Sequence, residues 1–414
     1  MIIESFARIL LKLNKKDLKK NLAKKTHHNL RQTLANFTVC GHLTKIGEDK
    51  FFNLKPKGFE GRENGYAACK MSVKTALDNT VNGIEISGNE QKEVRLSWKK
   101  NDVVDSAMLP WNDRYNEKLI KAASGGAEAS LSFAKTIGLY RESYMDKESG
   151  ETKEHTVRKR LTGYDAVYEI KKAIEDKRLT DETSVYLKGK VKPNTWVRNN
   201  NGEIETGKSI KLEADTMTVT AKPIILSELT EEEKAKNATF TMEIVFKEFN
   251  KVDETTYMTG IVVGYDFIEE MEFQFKTEAL AEGFKKLVTP HIKKGIYPML
   301  LCKGEIRRQV VEEELAEPID NGLGVDIYGA KRTGQTRQVW VIGFGDINSL
   351  DITSYTVANV DEAKEQLKAY AVDYKAGKDL SAESTEDKET ISLGADSYKS
   401  NSMNDFEDDD EDWD

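Results

Sequence analysis

Ser184-Val185-Tyr186-Leu187-Lys188-Gly189-Lys190-Val191-Lys192 returns later in the chain as Pro298-Met299-Leu300-Leu301-Cys302-Lys303-Gly304-Glu305-Ile306-Arg307-Arg308. Each copy alternates as a β-strand, with a Lys-Gly pair at its centre and basic residues on its outgoing half. An amphipathic helical stretch precedes each one, Ala166 to Ile174 in the first and Ala279 to Val288 in the second. The Lys171-Lys172 doublet lies 17 residues before Gly189, and Lys285-Lys286 lies 18 before Gly304. After a polar insertion each copy is followed by another alternating strand, Ile210 to Thr220 and then Val339 to Phe344.

Strands, one helix, then two more strands is the order of an OB barrel, whose helix sits between strands three and four. The repeat therefore predicts a mostly β chain with minor α, carrying two OB-like barrels. The expected organisation is a basic helical arm (1–36), a first OB-like domain (37–222), a linker (223–237), a second OB-like domain (238–360), and a short helix leading into an acidic tail (361–414). The linker is marked by Pro223 and by a capping-box-like run from Ser227 to Glu233.

Charge is unevenly distributed. The net charge is −9, yet residues 1–36 carry nine basic and two acidic residues, whereas residues 361–414 carry six basic and eighteen acidic ones. A basic head and an acidic tail point to separate electrostatic tasks. In the head, Phe6, Ile9, Leu10, Leu13 and Leu22 fall at helical spacing and Lys12 to Lys25 crowd the polar side. That arm reads either as a solvated helix docked on the body or as a mobile arm touching phosphates, a neighbouring subunit or the tail. Three cysteines, Cys40, Cys69 and Cys302, have no paired spacing, and no apolar run approaches membrane-spanning length. Met1-Ile2-Ile3 lacks the order of a signal peptide, so a cytoplasmic location is expected.

Short strands are expected at 37–43, 67–73, 81–86 and 94–98, while Ala127 to Ile137 fits either a strand or a short helix. Arg141 to Arg160 reads as a long mobile basic loop, and Glu312 to Gln338 as a Gly-rich insertion between the last two strands of the second barrel. Val360 to Tyr374 suits a helix, and from Ala376 onward too little apolar surface remains to offset ordering, which predicts disorder.

Two enzyme-like signals dissolve on inspection. Gly202 to Ser209 matches the phosphate-loop text G-x-x-x-x-G-K-[ST], but a turn sequence precedes it and an alternating strand follows. Gly207-Lys208-Ser209 is better read as the tip of a hairpin. Cys40-x-His42 with Cys69 lacks metal-ligand spacing. Neither metal nor cofactor is expected, and the chain reads as a binding protein, not an enzyme.

Single-strand binding needs cations for phosphates and flat side chains for stacking. Alternation places Tyr186, Lys188, Lys190 and Lys192 on one strand face, opposite Val185, Leu187 and Val191, with Trp196 and Arg198 beyond. Trp98, Lys99, Lys100, Trp111, Arg158, Lys159 and Arg160 add candidates in the first half. Tyr257, Lys303, Arg307, Arg308, Lys331, Arg332 and Arg337 are the candidates in the second. The last ten residues hold eight acids around Phe406 and Trp413, a combination suited to docking in basic-rimmed pockets.

OB-like barrels ending in a tail of acids plus aromatics resemble single-stranded DNA-binding proteins of replication, particularly those of tailed bacteriophages. The resemblance implies a protein that coats single-stranded DNA non-specifically during replication or recombination. It also implies that Phe406, Asp408, Asp409, Asp410 and Trp413 recruit partner enzymes such as polymerase, helicase-primase or nuclease, with self-association through the arm as a further possibility. The rival readings are a structural or assembly protein whose barrels make protein contacts, and a nucleotide-dependent enzyme using Lys208.

Overall fold

The computed structural model describes residues 28–375, apart from 60–62, 101–102, 146–150, 201–202, 253, 315–318, 321–325, 328–330 and 348–354. Residues 1–27 of the arm, expected to be helical, and the tail from 376 onward therefore lie outside the described residues. The fold is mostly β with minor α.

Four strands open the chain: β1 (Ala35–Thr44), β2 (Phe52–Lys55), β3 (Tyr66–Lys74) and β4 (Thr80–Asn89). An insertion follows, with β5 (Glu93–Lys100), β6 (Val103–Pro110), a short helix α1 (Glu117–Ala123), β7 (Ala129–Leu131), β8 (Lys135–Gly138), β9 (Arg141–Met145), β10 (Thr152–Thr156) and β11 (Lys159–Leu161). Helix α2 (Gly163–Glu175) leads to the long strands β12 (Ser184–Asn200) and β13 (Glu203–Val219). Then come α3 (Glu231–Lys236), β14 (Ala238–Val252), β15 (Thr255–Val263), β16 (Ile268–Phe275) and α4 (Glu278–Ile292). The chain continues through β17 (Met299–Glu314), two short strands β18 (Ile319–Asp320) and β19 (Asp326–Ile327), β20 (Lys331–Ile347) and α5 (Val357–Lys375).

Two closed five-stranded circuits emerge from the pairing. In the first, β1 pairs antiparallel with β3, β3 with β4, β4 runs parallel to β13, β13 pairs antiparallel with β12, and β12 returns to β1. In the second, β14, β15, β16, β20 and β17 close with the same order and the same single parallel pair. With α2 and α4 each placed between third and fourth strands, both halves have OB topology. Each helix starts on a threonine cap, Thr162 or Thr277, and buries an apolar stripe: Ala166, Val167, Ile170 and Ala173 in α2, and Ala281, Phe284 and Val288 in α4.

The repeated phrase is explained by a bulge. Register shifts between Lys188 and Gly189 in one barrel and between Lys303 and Gly304 in the other. At each bulge the two last strands come so close that a Cβ would collide with a backbone carbonyl, that of Glu213 or of Val341. Only glycine fits there.

The barrels are joined strand one to strand one. β1 and β14 pair antiparallel from Ala35↔Met242 to Val39↔Ala238, centred on Phe37↔Phe240. Phe37 lies opposite Gly189, and Phe240 lies opposite Gly304. A local two-fold axis thus runs through the Phe37–Phe240 pair and relates Lys188 to Lys303. Beyond the junction each barrel leans on the other: β4 meets β17, and β12 meets β16. Asn79 Nδ2 donates to the Ile306 carbonyl (3.0 Å), and the Arg308 N–H donates to Asn79 Oδ1 (2.8 Å).

Several sequence expectations change. Residues 28–34 are not helical: His28 donates to the Gly264 carbonyl, Thr33 exchanges bonds with Val263, and Arg31 pairs with Glu243 at 2.8 Å. Within the expected basic loop, Arg141–Met145 and Thr152–Thr156 pair antiparallel as β9 and β10. Their side chains are nearly all exposed, so no apolar alternation signals the strands. Residues 129–131 and 135–138 resolve into two short strands. Much of the expected Gly-rich insertion is an extension of the β17–β20 hairpin, paired as far as Glu314↔Lys331. Gly207, Lys208 and Ser209 lie within β13, opposite Trp196, Thr195 and Asn194, so neither the loop nor the helix of a phosphate-binding site is present there.

Gly189→Ala and Gly304→Ala should each destabilise the protein by about 3 kcal/mol, because the added methyl must displace backbone and cannot relax through a side chain. Urea unfolding of each variant checks this; wild-type midpoints in both would refute the bulge requirement.

Candidate nucleic-acid interface

The junction places four strands side by side in the order β12, β1, β14, β17. Opposed residues share a face, so the outward side chains form rows. One row reads Lys188, Thr38, Thr239, Glu305, and its two-fold mate reads Lys303, Thr241, Asn36, Lys190. Flanking them run Tyr186 and Cys40, where the Cys40 N–H donates to the Asn237 carbonyl (2.7 Å). The opposite face holds the core residues Phe37, Val39, Val185, Leu187, Phe240 and Ile306, all buried.

Lys188 is half-buried and Lys303 exposed, and among the described residues neither has a carboxylate within ion-pair reach. Lys188 and Tyr186 share a face, as alternation predicts. Tyr186 is hydrogen-bonded to Thr38 and lies within electrostatic range of Arg158, which the insertion brings to this face; burial first, and Cys40 in addition, push its phenol up. The structure thus brings Tyr186, Lys188 and Arg158 together on one barrel and adds Lys303 and Arg307 across the junction.

Lys190 and Lys192 behave differently from a solvated phosphate-binding pair. Lys192 bonds Glu213 at 2.5 Å. Lys135 on β8 is buried and donates to Glu213 (3.0 Å) and Asp215 (2.7 Å). Burial lowers the Lys190 pKa, and Lys192 and Lys135 lower it further against the pull of Asp215 and Glu213. Burial would raise Glu213, but Lys135 and Lys192 outweigh it and hold the carboxyl down at about 2. Much of the positive charge on this strand is therefore already answered within the fold.

The aromatic candidates are largely core. Trp98 and Trp111 pack with Val94, Leu96, Leu109 and Leu131 in a small core of the insertion. The Arg114 guanidinium lies 4.1 Å over the Trp111 ring and Tyr164 meets it edge-on, so neither tryptophan offers a free face for a base. Tyr257 is also buried. Lys159 is tied to Glu169 at 2.9 Å, while Arg158, Arg160, Lys99 and Arg308 are exposed. Arg307 pairs with Glu305, and Arg337 approaches Glu272 at 3.8 Å. For Lys100, Trp196, Arg198, Lys331 and Arg332 only the strand position is described. Phe406, Asp408, Asp409, Asp410 and Trp413 lie outside the described residues. Cys40 and Cys69 sit on opposite sides of their barrel wall, and burial pushes their thiols up to about 11 and about 12.

Sequence reasoning passed over Lys70 and Lys74, on the outward side of β3. They alternate with the buried Cys69, Met71 and Val73, which was the available signal.

The YorF family model matches residues 134–378, more than half of the chain. The chain belongs to the YorF family. The match begins just before β8 and takes in the end of the insertion, α2, β12, β13 and the whole second barrel. No curated protein matches the chain. Among solved structures, a wild-type single-stranded DNA binding protein from Thermus aquaticus is similar with a TM-score of 0.31 at 9% identity, over 77% of this chain and 95% of that one. A superposition that loose does not bear on function. Among the described residues no helix is long and apolar enough to cross a membrane.

The Lys135 cluster yields a test with a definite sign. Glu213 titrates lower folded than its ordinary value of 4.5, so it stabilises above pH 4.5 and that contribution drains away as pH falls toward about 2. Lys135→Met should cost about 3 kcal/mol at neutral pH by leaving two carboxylates under-compensated. It should also move the Glu213 titration upward, as NMR of the side-chain carboxyl would report. An unchanged Glu213 titration would refute the coupling.

Proposed function

We propose that this protein binds single-stranded DNA without sequence preference through the outer face of the barrel junction, and that it acts by binding and not by catalysis. The observation that supports this reading best is the pair Lys188 and Lys303. Two copies of one bulged strand present them at equivalent positions, without carboxylate partners among the described residues, on either side of a band of Thr38, Asn36, Thr239 and Thr241. Hydroxyl and amide groups between cations suit a phosphate backbone read by charge and hydrogen bonds. Tyr186 with Arg158 supplies the neighbouring aromatic-cation pair that a stacked base would use.

In this reading the protein coats transient single strands during replication or recombination. The terminal run from Asp405 to Asp414, with Phe406 and Trp413 among its acids, collects partner enzymes such as polymerase, helicase-primase or nuclease. The buried Trp98, Trp111 and Tyr257 have no part in it, and neither does the phosphate-loop text at Lys208.

Fluorescence-anisotropy titration of labelled oligo-dT at two salt concentrations tests the reading. Binding should weaken as salt rises, with a log–log slope of roughly −0.7 per phosphate contacted. Lys188→Glu/Lys303→Glu should weaken it by roughly tenfold at low salt and flatten that slope. Absence of binding by the wild-type chain at low salt would end the reading.

A further inference from the structure

The local two-fold axis lets the two barrels be compared position by position on a second surface, away from the junction face. The third strand of each barrel meets the long hairpin of the other, β4 against β17 and β16 against β12. His42 opposes Lys74 as Val245 opposes Ile261, and Lys74 opposes Thr80 as Ile261 opposes Glu270. Lys70, Lys74, Asn79 and Thr80 of the first barrel therefore correspond to Tyr257, Ile261, Glu269 and Glu270 of the second. On the opposing hairpins Arg308 pairs with Gln338 as Pro193 pairs with Ile210, so Arg308 corresponds to Pro193.

The two surfaces differ sharply in charge. Around the second barrel a cleft of about 530 Å³ is lined by Glu248, Glu269, Glu270 and Glu272 together with Pro193 and Ile210. Next to it the outer wall is sealed: Val245, Ile261, Val263 and Met299 are covered by Leu30, Tyr355, Val360 and Ala363, and Lys364 reaches Glu270 at 3.3 Å. The matching surface of the first barrel carries Lys70 and Lys74 on β3, and Arg308, whose N–H donates to Asn79, comes in beside Thr80, the strand partner of Lys74. Among the described residues none of these three cations has a carboxylate within ion-pair reach.

We propose that of these two related surfaces only that of the first barrel takes a nucleic-acid strand, with Lys70 and Lys74 of the first barrel and Arg308 of the second contacting its phosphates. This rests on the single-strand reading above. A polyanion entering the cleft of the second barrel would meet four glutamates, where the first barrel offers Lys70, Lys74 and Arg308. Three of them, Glu248, Glu270 and Glu272, are already near a lysine or arginine, and Glu269 is without one among the described residues. The wall beside that cleft is already occupied by the chain. The duplicated fold is thus used once, and Arg308 makes the working surface a joint product of both barrels.

Oligo-dT titration of the full chain tests this with two mirror variants, after thermal unfolding has shown each to be folded. Lys70→Gln/Arg308→Gln should weaken binding by roughly tenfold and lower the salt slope by about one per residue removed. Glu269→Gln/Glu272→Gln should leave affinity unchanged or raise it. Should the first variant misfold, Lys74→Gln alone takes its place, with about half the slope change. If the wild type does not bind, the function and this inference fall together. If it binds, responds to Lys188→Glu/Lys303→Glu, and ignores Lys70→Gln/Arg308→Gln, the inference alone is overturned. Weaker binding by the glutamate variant would overturn it equally.

Discussion

The fold depends on two phenylalanines and two bulge glycines brought together at a strand junction. Phe37 and Phe240 face each other across the β1–β14 pair, and each lies opposite the bulge glycine of its own barrel's fourth strand. The Phe240 ring occupies the space that a Gly304 Cβ would need, which is how a glycine in a sheet regains the packing it lacks. Because both rings point inward, the two barrel interiors merge into one hydrophobic core. The junction also disposes of exposed sheet edge. The first half of each strand one, left unpaired by its own barrel, is covered by the other's.

Duplication supplied the frame, and the differences between the copies supply the chemistry. The insertion between β4 and α2 exists only in the first barrel, where β8 extends the sheet beside β13 and delivers Lys135 to Glu213 and Asp215. The second barrel instead has its outer wall covered by residues 28–34 and α5. Equivalent strands thus carry unlike surroundings: Lys190 is hemmed in by its neighbours, whereas Glu305 in the same place answers Lys276 and Arg307.

The barrels were legible because their requirements are local. A Lys-Gly pair inside an alternating strand marks a bulge that only glycine satisfies, and seeing it twice with a helix before it fixes the topology. The β9–β10 pair and the outer parts of the long hairpins were not legible as strands. Where both faces meet water, as in Thr152 to Thr156, the two-residue period vanishes. The aromatic candidates failed for a different reason. Trp98 falls in step with the apolar Val94 and Leu96, which already placed it on the inward face. Trp111 sits in a turn after Pro110 where no period applies, and only the insertion's own small core shows that it is buried. Lys70 and Lys74 were visible as outward lysines, but their meaning comes from Arg308, brought alongside through Asn79 from a position 229 residues away.

A net charge of −9 does not set the local field, because fields at a protein surface are felt over about 8–10 Å and no further. What matters is which cations the fold leaves unanswered. Lys192 and Lys135 are spent on carboxylates in the first barrel, Lys276 on Glu305 and Lys247 on Glu270 in the second. Among the described residues Lys188, Lys303, Lys70, Lys74 and Arg308 are cations, though not the full set, that have no carboxylate in ion-pair reach. Counting lysines along a strand therefore overstates its pull on phosphate. Register and pairing decide it, and the same strand, copied, meets different partners in each barrel.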